Sequence, residues 1–131
     1  MDQGGGAILA ITSVTVKQPL PNLVLSNSLR LAVASLVKTL ADELGPFGIR
    51  ANAICPAWTR TGRVGQLLEN RAERHKTTTK KEEERIIADI PLGRLGRPDE
   101  FAAAAFPVSL AASHIDGVCL LVDGGMYRGV L

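Results

Sequence analysis

Hydroxyl side chains gather where the apolar runs of this chain end. Ser13 follows the run Ala7–Thr12, and the loop Pro56–Thr61 follows the run Arg50–Cys55. Ser26 stands thirteen residues after Ser13, and Arg30 four residues after that. A serine hydroxyl can hydrogen-bond a ligand oxygen, but it is a far weaker acid than a phenol of pKa about 10, so it delivers a proton poorly. Arginine carries a permanent charge suited to ribose hydroxyls or a phosphate. In open parallel sheets ligands bind beyond the carboxyl ends of the strands, so these two loops mark a candidate site. Loop serines and threonines serve turns and helix caps equally well, and the sequence leaves both uses open.

The other reactive side chains have plainer readings. Cys55 and Cys119 lie in apolar strand-like runs without CxxC spacing, and read as buried, reduced thiols rather than a disulfide or metal pair. No metal site is expected. His75 sits in a charged stretch, and His114 near a helix end. Trp58 suits either an acyl pocket or the packing of a lid. Gly4-Gly5-Gly6 precedes a strand, whereas a phosphate-binding glycine loop must follow one and open a helix, so the triplet is a flexible entry.

The elements that position these residues follow from periodicity. Ala7–Thr12 is a continuous apolar run, expected as a strand buried on both faces. Pro19 and Pro21 mark a loop over Val14–Asn22. Leu29, Ala32, Val33, Leu36, Val37, Leu40, Ala41 and Leu44 form one broad apolar helix face, ended by Gly45-Pro46. Arg50–Cys55 and Val118–Val122 read as two more strands. Residues 57–91 form a polar, substrate-lid-like excursion, helical over Lys81–Ile90 and broken at Thr77-Thr78-Thr79 by poor helix formers. Its interleaved acids and bases read as a solvated face rather than a nucleic-acid patch. Pro98 opens a helix running toward Ala112, kinked at Pro107. The order strand, helix, strand, helix, strand predicts a parallel α/β unit with right-handed crossovers.

Composition bounds the function. The 131 residues are 46% apolar and 21% charged with net charge +2, as for one globular domain spanning 1–131. Neither nucleic acid nor a membrane is an expected partner. The start Met1-Asp2-Gln3-Gly4 has no basic n-region, and the location expected is the cytoplasm.

Taken in order, Thr12-Ser13, Ser26-Asn27-Ser28-Leu29-Arg30, Gly48-Ile49-Arg50-Ala51-Asn52, Pro56-Ala57 with Thr61, Pro91-Leu92-Gly93-Arg94-Leu95-Gly96-Arg97-Pro98-Asp99-Glu100 and Val122-Asp123-Gly124-Gly125 resemble the C-terminal half of a short-chain dehydrogenase/reductase. The type it looks most like is the 3-oxoacyl-acyl-carrier-protein reductase. The resemblance covers nearly the whole chain and about half of a family member. It implies the C-terminal half of a Rossmann-type doubly wound parallel sheet, three strands with packed helices.

By the same resemblance, Ser13 hydrogen-bonds a substrate carbonyl. Ser26 stands in place of the family's proton-transferring tyrosine, and Arg30 in place of its ribose-binding lysine. Thr61 holds the nicotinamide carboxamide within a Pro-Gly loop that reads Pro56-Ala57 here, and Asn52 and Val122–Gly125 are structural. Implied are NAD or NADP as cofactor, a small carbonyl or alcohol substrate, and a homo-oligomer or a complementing half as partner. The family's Gly-rich nucleotide turn lies in its first half, so the chain alone is expected to be inactive. The alternative is a non-catalytic assembly protein that pairs with itself or with an intact relative.

Overall fold

A computed structural model describes residues 4–130; the reading of the Met1-Asp2-Gln3 start lies outside the described residues. Strands β1 (Gly6–Ile11), β2 (Ile49–Pro56) and β3 (Cys119–Val122) form a parallel sheet in the order β1-β2-β3. The connections carry helices α1 (Val24–Leu44), α2 (Gly62–His75), α3 (Thr79–Ala88) and α4 (Pro98–Ala103). The α/β class and the three-stranded parallel arrangement are therefore those expected from the sequence.

β2 is the centre of the sheet, and Ala51–Cys55 are buried. Side chains alternate across a strand. Ala51, Ala53 and Cys55 pack with Val37 and Ala41 of α1. On alternate positions, Arg50 and Asn52 bond the segment between α4 and β3. Asn52 donates to the Ile115 carbonyl at 2.9 Å and accepts from Val118 N–H at 3.1 Å, which stitches β2 to the entry of β3. A second apolar cluster lies beyond the strands' carboxyl ends, where Val64, Leu68, Ile86, Ile90 and Leu95 meet Val14 and Met126.

Several sequence expectations need correction. β1 is not buried on both faces: it is an edge strand, with Ile8 38% and Ile11 56% exposed, because only β2 pairs with it. The broad face of α1 is divided. Val37 and Ala41 are buried against the sheet, while Leu29 and Leu36 stand 64% and 54% exposed. α1 also begins earlier than its strongest periodicity, at Val24.

Val24–Phe47 is long and apolar enough by length and composition to cross a membrane, with a mean hydropathy of 1.2, although no membrane partner is expected from the sequence. In this fold it covers one face of the sheet. Cys119 is half-buried rather than buried, and both thiols are free.

The break in the excursion has a cause other than β-branching. Lys76 closes α2 in the left-handed region at φ 51°, and Thr78 caps α3 by accepting the Lys81 N–H at 3.2 Å. Thr79 is already helical. The excursion is not simply a solvated face either: Glu82 is fully buried.

Pro107 ends up outside any α-helix. α4 stops at Ala103, and 3-10 turns at Phe106–Val108 and Leu110–Ala112 replace the expected kinked helix. Proline lacks the N–H to continue the helix and clashes one turn back. Arg50 takes up carbonyls along this segment, donating to those of Pro107, Ser109 (3.0 Å) and Ile115 (3.1 Å). One glycine is dictated by close approach: a Cβ on Gly124, at φ +64°, would stand 2.7 Å from Ile90 Cγ2.

Candidate functional site

A cleft of about 340 Å³ opens beyond the carboxyl ends of β1 and β2. The candidate catalytic and cofactor-binding residues Ser13, Ser26, Arg30, Pro56, Ala57 and Thr61 line it. The crossovers produce this convergence. Ser13 follows β1, Pro56 ends β2, Thr61 opens α2, and Ser26 and Arg30 lie one turn apart on α1.

Two hydroxyls have local work as well as a free proton. Ser13 caps a 3-10 turn, its Oγ accepting from Thr15 N–H at 3.2 Å. Thr61 caps α2, its Oγ1 accepting from Val64 N–H at 3.4 Å. A hydroxyl that accepts a backbone N–H keeps its own O–H to donate. The two uses left open by the sequence are thus compatible: the cap fixes the oxygen, and the proton remains for a ligand.

Ser26 is half-buried, and its hydroxyl has no partner among the described residues. Arg30 donates Nη1–H to the Ile11 carbonyl at 2.9 Å. Its Nε and Nη2 carry no protein acceptor among the described residues. Asn27, between them on α1, clamps the approaching loop by bonding Leu20 through both amide atoms, at 3.0 and 3.4 Å.

The floor and outer wall carry residues the sequence reading passed over. Thr12 Oγ1 lies 3.0 Å from Cys55 Sγ, tying the β1 exit to β2. Burial in this core pushes the Cys55 thiol pKa up, with the Thr12 hydrogen bond opposing it. Arg63 and Phe101 also line the cleft. Arg63 stands two residues after Thr61 in the first turn of α2, and its place just past the loop leaving β2 was the available signal. Trp58 lines the cleft and packs against the α2–α3 cluster.

Trp58 also connects the cleft to a buried charge. The Arg71 guanidinium lies 5.9 Å from the Trp58 ring centre and donates Nε–H to Glu82 at 3.3 Å. Glu82 further pairs with Arg85 at 2.5 Å and His75 at 3.1 Å. Burial opposes ionisation of this carboxyl, but His75, Arg71 and Arg85 together outweigh it and hold its pKa below the usual value. At the start of α4, hydrogen bonds from Arg94 and the Arg97 backbone N–H hold Glu100 down to about 2. Among the described residues no cluster of His, Cys, Asp and Glu could hold a metal.

The three-stranded parallel sheet with packed helices is a Rossmann-like α/β arrangement. The chain belongs to the short-chain dehydrogenase/reductase family. Its residues 1–127 match the family described as enoyl-(acyl carrier protein) reductase. It is 40% identical to the oxidoreductase YmfI of Bacillus subtilis, over 93% of this chain and 46% of that protein.

Among solved structures, an actinorhodin polyketide ketoreductase with NADPH is 29% identical over 95% of this chain and 48% of its own, with a TM-score of 0.89. An NADPH-bound short-chain oxidoreductase from Pseudomonas aeruginosa PAO1, described as containing an atypical catalytic center, is 30% identical. It covers 95% of this chain and 47% of its own, with a TM-score of 0.79. The chain thus spans about half the length of the curated relatives it matches, as with the 46% of YmfI.

Proposed function

We propose that this chain is the substrate-side half of an NAD(P)-dependent oxidoreductase acting between carbonyl and alcohol, of the 3-oxoacyl-acyl-carrier-protein reductase type. The supporting observation is the convergence of Ser13, Ser26, Arg30, Pro56, Ala57 and Thr61 on one cleft. The NADPH in the polyketide ketoreductase and in the Pseudomonas oxidoreductase supports the cofactor class.

The donor set fits the nicotinamide end of such a cofactor. Arg30 has two unclaimed guanidinium nitrogens for ribose hydroxyls, and the Thr61 O–H is free for a carboxamide oxygen beside Pro56 and Ala57. When bound, the cofactor supplies the hydride. This chain's residues orient and polarise. Ser13 donates its O–H to the substrate carbonyl oxygen while the Thr15 N–H fixes its oxygen. Ser26 occupies the proton-donor position, but an aliphatic hydroxyl is too weak an acid to serve alone. The proton therefore comes through water or another group. Residues 57–91 act as the lid within a single partial Rossmann-like domain of residues 1–131.

The active assembly combines this chain with a nucleotide-binding half, as a single complex or within a homo-oligomer of such complexes, located in the cytoplasm. The test is carbonyl-dependent oxidation of NADPH by this chain mixed with the separately produced first half of YmfI. Oxidation that Ser13→Ala abolishes supports the reading; a complex that forms and never oxidises NADPH opposes it.

A further inference from the structure

Arg30 and Arg63 line the same cleft, and among the described residues no aspartate or glutamate does. Arg63 has no hydrogen-bond or ion-pair partner among the described residues. Arg30 spends only Nη1 on the Ile11 carbonyl. The acids nearest in sequence to the cleft wall, Asp99 and Glu100, are already engaged by Arg97 and Arg94. The cleft therefore carries two uncompensated positive charges. Concave walls of low polarity focus such a field and favour an anion.

Guanidinium groups recognise a carboxylate by paired N–H donors, and an arginine does this better than a lysine. The remaining lining is different in kind. Trp58 and Phe101 supply aromatic surface, while the Ser13 and Ser26 hydroxyls lie between. About 340 Å³ is at the small end of ligand cavities.

We propose that the cleft binds a small organic carboxylate, its head group held by Arg63 and its apolar body laid against Trp58 and Phe101. The inference rests on the reading of this cleft as the substrate side of an oxidoreductase, and it names the class of substrate: a carbonyl or alcohol compound that also bears a carboxylate.

Trp58 is the only tryptophan in the chain, so its fluorescence reports occupancy directly. The experiment titrates the full chain, without cofactor, with phenylpropanoate and with its uncharged isostere phenylpropanamide. The acid shifts Trp58 emission saturably, the amide binds at least about tenfold more weakly, and added salt weakens the acid alone. Arg63→Gln weakens the acid about tenfold and leaves the amide unchanged. Because Arg63 has no hydrogen-bond or ion-pair partner among the described residues, this variant keeps the fold, as circular dichroism checks.

Equal response to acid and amide, no saturable response to either, or an Arg63→Gln variant with unchanged affinity for the acid overturns the proposal. Binding is read without turnover, so its failure leaves the oxidoreductase reading standing. Conversely, NADPH chemistry can fail while acid binding persists.

Discussion

Arg30 Nη1 meets the Ile11 carbonyl at 2.9 Å, so a side chain of α1 binds the last residue of β1 at the mouth of the cleft. This contact fixes where the rest of the guanidinium points. It also places Ser26, one turn earlier on the same helix, in the same cleft. Replacing both together, Ser26→Tyr with Arg30→Lys, supplies a phenol near a cation. Such a pair lowers the phenol pKa toward neutrality and restores a competent proton donor. In a complemented enzyme the double variant is expected to raise turnover about tenfold or more, read as NADPH oxidation with a ketone.

Ser13 acts on the substrate oxygen rather than on the fold. Its cap bond closes only a single 3-10 turn. Ser13→Ala should lower kcat/KM by about a hundredfold, the usual loss for one donor to a developing oxyanion. Thermal melting should move little, and a comparable loss of both stability and activity would assign Ser13 to structure.

The α2–α3 pair depends on its small core. Leu68 is 6% exposed and Ile86 4%. Truncation of either to alanine should cost about 2–5 kcal/mol, because the transfer free energy and a residual cavity add. Urea unfolding checks this. The exposed Leu29→Ala should cost far less.

Two carboxylates set an acid limit. Glu82 and Glu100 are both depressed in the folded chain, Glu82 by His75, Arg71 and Arg85 against burial, and Glu100 to about 2 by Arg94 and Arg97. A depressed carboxyl contributes stability that is present above its unfolded pKa and is lost as pH falls through the folded one. Stability should therefore decline from the ordinary glutamate range downward, with the Glu100 share gone near pH 2. Melting temperature against pH measures it, and Glu82→Gln should flatten the upper part of the decline.

The open edge of β1 and the exposed leucines of α1 predict self-association. Ile11 is 56% exposed, and Leu25 and Leu29 are 73% and 64% exposed. Unpaired edges and apolar faces pair unless covered. Light scattering should show assemblies at high concentration that Leu29→Glu reduces. A dispersed, well-folded monomer at all concentrations would remove the case for a partner.

Much of this was legible in the sequence. The Ala7–Thr12 and Arg50–Cys55 runs became paired parallel strands, and the residues chosen beyond them share one cleft. What periodicity could not show is which faces find a cover. The apolar stripe of α1 is continuous in sequence, but only Val37 and Ala41 are buried, because the sheet is narrow. Glu82 looked like one more solvated acid among Glu83 and Glu84, since its basic partners come from α2 as well as from its own helix. The Pro107 segment was read as a kinked helix because the carbonyl contacts of Arg50 are separated from it by more than fifty residues.

The central claim is that this cleft is the substrate side of a hydride-transfer site. The most direct measurement is energy transfer from Trp58 to NADPH in this chain combined with a tryptophan-free first half of a family relative, followed by oxidation of the cofactor when a ketone is added. The account predicts transfer in the combined protein and none in the chain alone, with ketone-dependent oxidation lost in Ser13→Ala. NADPH held close to Trp58 in a combined protein whose oxidation rate is indifferent to Ser13 would contradict it.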